Sequence, residues 1–183
     1  MPNRYKDNAS NDPLPPEAQR VMTAWADTEG AYRDHYDDIR QALGRTMAQS
    51  IMNRNRNFAV DAEHALATVA PDLLQSMDEL RRGIDAIIGW KIDWRHRVRG
   101  DVIDNDITVN SDESIVSVRA IWGPDEYELI AGWVRGSQIG PDRITGSPGA
   151  WIAVALEEDD ETGSFFNLAD MYEVELTAPP TAD

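Results

Sequence analysis

The stretch GWKIDWRHRVR, residues 89–99, decides the fold class. Before Gly89 the large apolar residues recur every three or four positions, which is the period of a helix. From Trp90 onward they alternate with charged residues, and a period of two is the mark of a strand with one buried face. The sequence therefore changes at Gly89 from a helical half to a β-rich half.

Two helical stretches are predicted in the first half. One starts at Pro16, since proline is favoured in the first turn of a helix, and its apolar stripe continues to Ile51 with a bend near Gly30. The other starts near Asp61 and is broken or restarted at Pro71. The helical half thus consists of long amphipathic helices.

Strands are predicted to follow the one that starts at Trp90, with turn residues between them. Their ranges are 102–109, 115–122, 127–134, 150–156 and 171–176, and a Gly/Pro-rich loop runs from Gly136 to Gly149. Helices followed by a run of strands predict an α+β fold with a mainly antiparallel sheet.

The length of 183 residues suits one domain. We expect this domain over residues 16–176, helical at 16–89 and β-rich at 90–176. An extended arm at 1–15 and a tail at 177–183 are expected to flank it. Apolar residues make up 42% of the chain, which is typical of a packed globule.

Membrane insertion and cysteine chemistry are not expected. No run of apolar residues is long enough for a membrane span, and the N-terminus lacks the apolar segment of a signal peptide. The chain has no cysteine, which excludes disulfides, thiolate metal sites and a cysteine nucleophile.

The charge is strongly acidic, with 33 acidic residues against 17 basic ones and a net charge of −16. This balance argues against direct nucleic-acid binding through phosphates. The richness in aspartate and arginine predicts a halophilic source or a GC-rich gene, since molar salt screens such repulsion. The acidity is concentrated in the C-terminal third, so one end of the protein is better suited than the other to lie against another acidic surface.

No catalytic, cofactor-binding or metal-binding motif is present. The sequence has no phosphate-binding glycine loop, no HExxH and no GxSxG, and its three histidines are far apart. We therefore expect a non-enzymatic protein without a cofactor or metal. The oxygen-rich segment Asp101–Glu113 could bind a cation, but turn chemistry and solvation explain it better.

Seven residues are candidates for partner binding. Two are the large apolar residues of the N-terminal arm, and five are arginines near the helix-to-strand change: Tyr5, Leu14, Arg81, Arg82, Arg95, Arg97 and Arg99. Alternate arginines on a strand can form ion pairs within the monomer or pair with acidic groups of a neighbouring subunit. Both interpretations remain open from the sequence.

Several short motifs resemble the tail-completion proteins of long-tailed phages and archaeal viruses. They are Ala70-Pro71, Leu80-Arg81-Arg82-Gly83-Ile84, Gly132-Trp133-Val134-Arg135-Gly136 after Tyr127, and Pro148-Gly149-Ala150-Trp151-Ile152 followed by Ala155-Leu156-Glu157. The resemblance implies an α+β fold and assembly into a ring between head and tail.

Two functions follow as hypotheses. The first is a structural subunit that forms a homo-oligomer and contacts other proteins of a virion, such as a head–tail neck. The second is an acidic, nucleic-acid-mimicking inhibitor or another protein-binding module. The expected location is the virion if the protein is viral and otherwise the cytoplasm.

Overall fold

The computed structural model describes residues 14–54 and 57–181. Four helices come first: α1 (Pro16–Asp34), α2 (Tyr36–Asn53), α3 (Phe58–Val69) and α4 (Pro71–Asp85). The strands follow: β1 (Lys91–Val98), β2 (Val102–Val109), β3 (Ile115–Trp122), β4 (Glu126–Pro141), β5 (Pro148–Ala155), β6 (Ser164–Asn167) and β7 (Met171–Thr177). The predicted α+β fold with N-terminal helices is confirmed.

The first helical stretch is two helices, so the prediction of one long helix is wrong. Gly30 lies inside α1, and the break falls at His35, whose φ of −106° and ψ of 12° leave the helical region. The His35 Nε2 atom lies 3.0 Å from an Asp72 carboxylate oxygen on α4. The change of direction lets Ile39 and Leu43 of α2 pack with α3 and α4.

The predicted loop from Gly136 to Gly149 is largely strand. β4 continues to Pro141 because a register shift between Val134 and Gly136 absorbs the irregularity and pairing with β5 resumes. The connecting loop is only residues 142–147. The sequence prediction also missed β6, which is four residues long.

The strands form a five-stranded antiparallel sheet in the order β6-β5-β4-β1-β7 and a separate hairpin of β2 and β3. β1 is an interior strand of the sheet, because it pairs with β4 on one side and β7 on the other. Its inward residues, Ile92 and Trp94, are almost fully buried.

The main core lies between the helices and one face of the sheet. Trp25 of α1 and Ile84 of α4 pack there against Trp94, Val134 and Ile152 of the strands. A second cluster, built from α2, α3 and α4, contains Ile39, Leu66 and Leu73. α4 contributes to both clusters and joins the helical layer to the sheet.

The loop between β4 and β5 connects the sheet to the second cluster through Gly146. This glycine has a φ of 72°, and a Cβ atom there would overlap the Ile39 side chain and crowd Leu43 and Leu66. Only glycine satisfies both the backbone conformation and the available space.

Gly146→Ala should destabilise the protein by about 2–4 kcal/mol, because it adds a clash to an unfavourable backbone conformation. Gly140→Ala is the matched control, since a Cβ atom there meets nothing within 4 Å. Denaturant unfolding of both variants measures the difference. Equal midpoints for the two variants would contradict the anchoring role of Gly146.

Candidate assembly surfaces

A narrow neck connects the β2–β3 hairpin to the rest of the protein. Pairing of β1 with β4 ends at Val98 and Glu126, and the chain between these residues forms the hairpin. At the neck the Gly123 N–H donates to the Asp101 carbonyl at 2.8 Å. A Cβ atom on Gly100 would lie 2.5 Å from the carbonyl oxygens of Gly123 and Pro124, so glycine is required where the two segments meet.

The two faces of the hairpin differ sharply in chemistry. Paired residues of an antiparallel ladder project from the same face, and the register places Ile107 opposite Val118 and Val109 opposite Ile115. Asp106 lies opposite Arg119 on the other face. The first face, which we call the apolar hairpin face, consists of Val102, Asn105, Ile107, Val109, Ile115, Val118, Ala120 and Trp122 and carries no charge.

The apolar hairpin face is open to solvent. The side chains of Val118 and Ile115 are 61% and 66% exposed, and every residue of β2 is exposed. An isolated two-stranded hairpin is marginally stable in water, and a contiguous exposed apolar surface marks an interaction site. The hairpin is therefore the strongest candidate for a docking element in the described part of the chain.

The hairpin tip is organised by its own side chains. The Asp112 carboxylate accepts from the Ser114 backbone N–H at 3.0 Å and from its hydroxyl at 2.6 Å. These bonds hold the pKa of Asp112 below its ordinary value. Asp104 and Asp106 lie along β2 instead of at the tip. The oxygen-rich segment is therefore spread along a hairpin, and its tip shows the turn chemistry that the sequence favours.

A second exposed surface lies on the side of the five-stranded sheet that faces away from the helices. The β1–β4 register places Arg95 beside Leu129 and Arg97 beside Tyr127 on this side. Leu129 is 85% exposed. We call this surface the outer sheet face; β5 and β6 add to it the exposed aromatic residues Trp151 and Phe165.

Arg95 and Arg97 lie on the outer sheet face and form ion pairs within the chain. Arg95 contacts Glu173 at 3.4 Å and lies over the Tyr127 ring at 5.0 Å. Arg97 donates to Asp170 through both Nε and Nη2, at 3.1 and 2.8 Å. Both side chains stay about 40% exposed, so a partner could still reach them.

The other predicted arginines lie elsewhere. Arg99 stacks on Trp122 at the base of the hairpin, 4.4 Å from the ring centroid. Arg81 and Arg82 lie on α4, where both pair with Asp78 and Arg82 also contacts Glu79 at 3.3 Å. Because α4 covers the inner side of the sheet, the five arginines do not form one surface.

Of the two predicted arm residues, Tyr5 lies outside the described residues. Leu14 lines an apolar cavity between α1 and the sheet, together with Val21, Trp25 and Met171. Leu14 therefore packs against its own domain. Within the described residues, the buried indole N–H of Trp25 has no hydrogen-bond partner.

The acidic run Glu157–Glu161 is exposed on the loop after β5. The Arg135 guanidinium donates to the carbonyl oxygens of Glu158 and Asp160 at 2.7 and 2.8 Å. These bonds engage the backbone and leave the carboxylates directed to solvent, apart from that of Asp160, which accepts from Thr162. The loop is thus an ordered, strongly negative surface.

The apolar hairpin face is the feature that sequence reasoning missed. The two strands were predicted with correct ranges, but the prediction gave them no exposed apolar side. Their alternation was the available signal, since Ile107 and Val109 alternate with Asp106 and Thr108. Alternation identifies an apolar side of a strand, and it does not say whether the same domain covers that side.

Comparison with protein-family models, curated proteins and solved structures finds no match to this chain. Among the described residues, none of the helices combines the length and apolarity needed to cross a membrane. Within the same ranges, no three His, Asp or Glu side chains are grouped closely enough to hold a metal ion.

Replacing Ser114 with alanine should raise the pKa of Asp112 part of the way toward its ordinary value, because it removes the hydroxyl bond, the largest cause of the lowered pKa, and keeps the backbone N–H bond. Since the folded pKa is lowered, this contact stabilises the tip above the unfolded pKa and is lost as the pH falls through the folded pKa. Carboxyl NMR titration measures the shift. Asp142 is the internal control, since Thr145 and Ile144 hold its carboxylate, and an unmoved Asp112 titration would contradict the assignment.

Proposed function

We propose that this protein is a non-enzymatic assembly subunit whose β2–β3 hairpin is its docking arm, most consistent with a structural protein of a virion such as a head–tail neck component. The observation that carries the proposal is the uncharged apolar hairpin face on a hairpin held away from the core by a narrow neck. Apolar side chains gain free energy when they leave water, and in the monomer these side chains stay exposed. An interface that covered them would supply that free energy.

The length of the hairpin supports a role at some distance from the core. Eight residues in each strand, at roughly 3.3 Å per residue, give an arm about 26 Å long. The hydrogen bond from the Gly123 N–H to the Asp101 carbonyl holds the base of this arm together. The motifs that resemble tail-completion proteins add support for a ring-forming subunit, and location in a virion is part of the same proposal.

Deleting the arm tests this function. Replacing residues 99–125 with Asn-Gly joins Val98 directly to Glu126, which already face each other in the sheet, and this dipeptide favours a two-residue hairpin turn. The intact protein should form a discrete oligomer by light scattering, strengthened at about 3 M salt, since charge repulsion is already screened to about 3 Å at about 1 M. The deletion variant should remain folded and monomeric at both salts, about 0.15 M and about 3 M.

A control variant separates loss of the arm from loss of net charge. Asp104→Asn/Asp106→Asn changes the charged side of the hairpin and leaves the apolar hairpin face intact. This variant should assemble like the intact protein. An oligomer of unchanged mass after arm deletion, or an intact protein that is monomeric in both salts, would contradict the proposal.

The exposed run Glu157–Glu161 favours a second candidate function, an acidic mimic of nucleic acid that occupies a basic protein. Its carboxylates lie on a loop whose backbone Arg135 holds in place. If this function is correct, the protein should compete with DNA for a DNA-binding protein, and replacing the five acids with their amides should abolish competition. Equal competition by both proteins in a fluorescence anisotropy assay would exclude the role of this loop.

A further inference from the structure

We infer that the apolar hairpin face of one copy packs on the outer sheet face of a second copy of this chain. The inference rests on the proposed assembly role and specifies the partner surface. It is a heterologous contact, since two different surfaces meet, and repeating such a contact generates a ring when the rotation closes.

The first argument is that both surfaces belong to the same chain and neither covers the other within it. The hairpin starts where the β1–β4 pairing ends, at Val98 and Glu126, and its described side chains remain exposed. The outer sheet face remains open around Leu129. Contact between two copies would remove the apolar hairpin face and the Leu129 side chain from water at once.

The second argument is fit. The five strands of the sheet, at roughly 4.8 Å spacing, span about 19 Å. The hairpin is about 26 Å long by the same geometry, so it can lie across the whole outer sheet face. Leu129 and Tyr127 lie on the central strand β4, whereas Trp151 and Phe165 lie on β5 and β6 beside the C-terminal part of β4, so the hairpin would cross the sheet obliquely to meet both groups.

The third argument is charge. A chain with a net charge of −16 repels other copies of itself. A contact between copies therefore requires surfaces on which acidic side chains do not face each other. The residues of the apolar hairpin face carry no charge, and within the described residues the only cation against them is Arg99, which stacks on Trp122 at the base. The outer sheet face carries Lys91, Arg95 and Arg97, with nearby acids that already pair with them. The three basic residues are thus offset by acids of the same chain, and the hairpin presents its uncharged side to them while Asp104 and Asp106 point away.

The absence of cysteine from the chain permits a direct test of this contact. Val118→Cys places a thiol on the apolar hairpin face, and Leu129→Cys places one on the outer sheet face. Both side chains are highly exposed, so neither replacement disturbs the core. The two purified single variants are mixed in equal amounts at high salt and treated with a short bismaleimide, whose reach tolerates imperfect alignment of the thiols.

The mixture should give a crosslinked dimer containing one copy of each variant, at a yield about tenfold above the control mixture because docking raises the effective concentration of the thiols. The control mixture pairs Val118→Cys with Met52→Cys, which is comparably exposed but lies at the end of α2. Peptide mass spectrometry of the product identifies the joined residues.

Other partners of the hairpin give different products. Dimers formed by Val118→Cys alone would show that two hairpins pack together and would overturn the inference. A mixed product no more abundant than in the control would also overturn it. If the crosslink is absent but arm deletion still dissociates the oligomer, the assembly role stands and only the partner surface is wrong. If the intact protein is monomeric in both salts, the assembly role and the partner surface are both wrong.

Discussion

The alternation of side chains along β1 is the constraint on which the rest of the structure depends. Ile92 and Trp94 point into the core, while Arg95 and Arg97 point to the outer sheet face. A strand displaced by one residue would exchange these sets and bury the charges. The same strand pairs with β4 and β7 and leads into the hairpin, so its register fixes the core, the outer sheet face and the place where the hairpin leaves the sheet.

The helical layer makes this arrangement possible by covering only one side of the sheet. α1 and α4 are held together by the buried Thr28 hydroxyl, which donates to the Ala24 carbonyl at 2.8 Å and lies 3.1 Å from the Ser76 hydroxyl. Gly83 of α4 allows close approach to Val21. The other side of the sheet has no helix over it within the described residues, and it keeps Leu129 in solvent. The uncovered apolar hairpin face and the uncovered outer sheet face, both on one acidic chain, are the physical basis of the assembly proposal.

The fold class and most strand ranges could be predicted from sequence because the apolar period changes at Gly89 and turn residues separate the strands. The break at His35 could not, since neither proline nor glycine marks it and tertiary packing of Ile39 and Leu43 decides it. The extension of β4 to Pro141 could not be predicted, because Gly136 and Gly140 are residues typical of loops. In the structure, pairing with β5 keeps them extended. For the candidate site, composition predicted a binding protein, but only the fold shows that Ile107 and Val118 share an uncovered face.

Hydrogen exchange of the backbone amides in β2 and β3 tests the central claim most directly. A hairpin in water should exchange rapidly because little tertiary structure protects it. The account predicts that the amides of residues 102–122 become strongly protected when the protein is concentrated at high salt, together with those around Leu129. Assembly of the protein with hairpin exchange unchanged from the dilute state would contradict the claim that this hairpin is the docking arm.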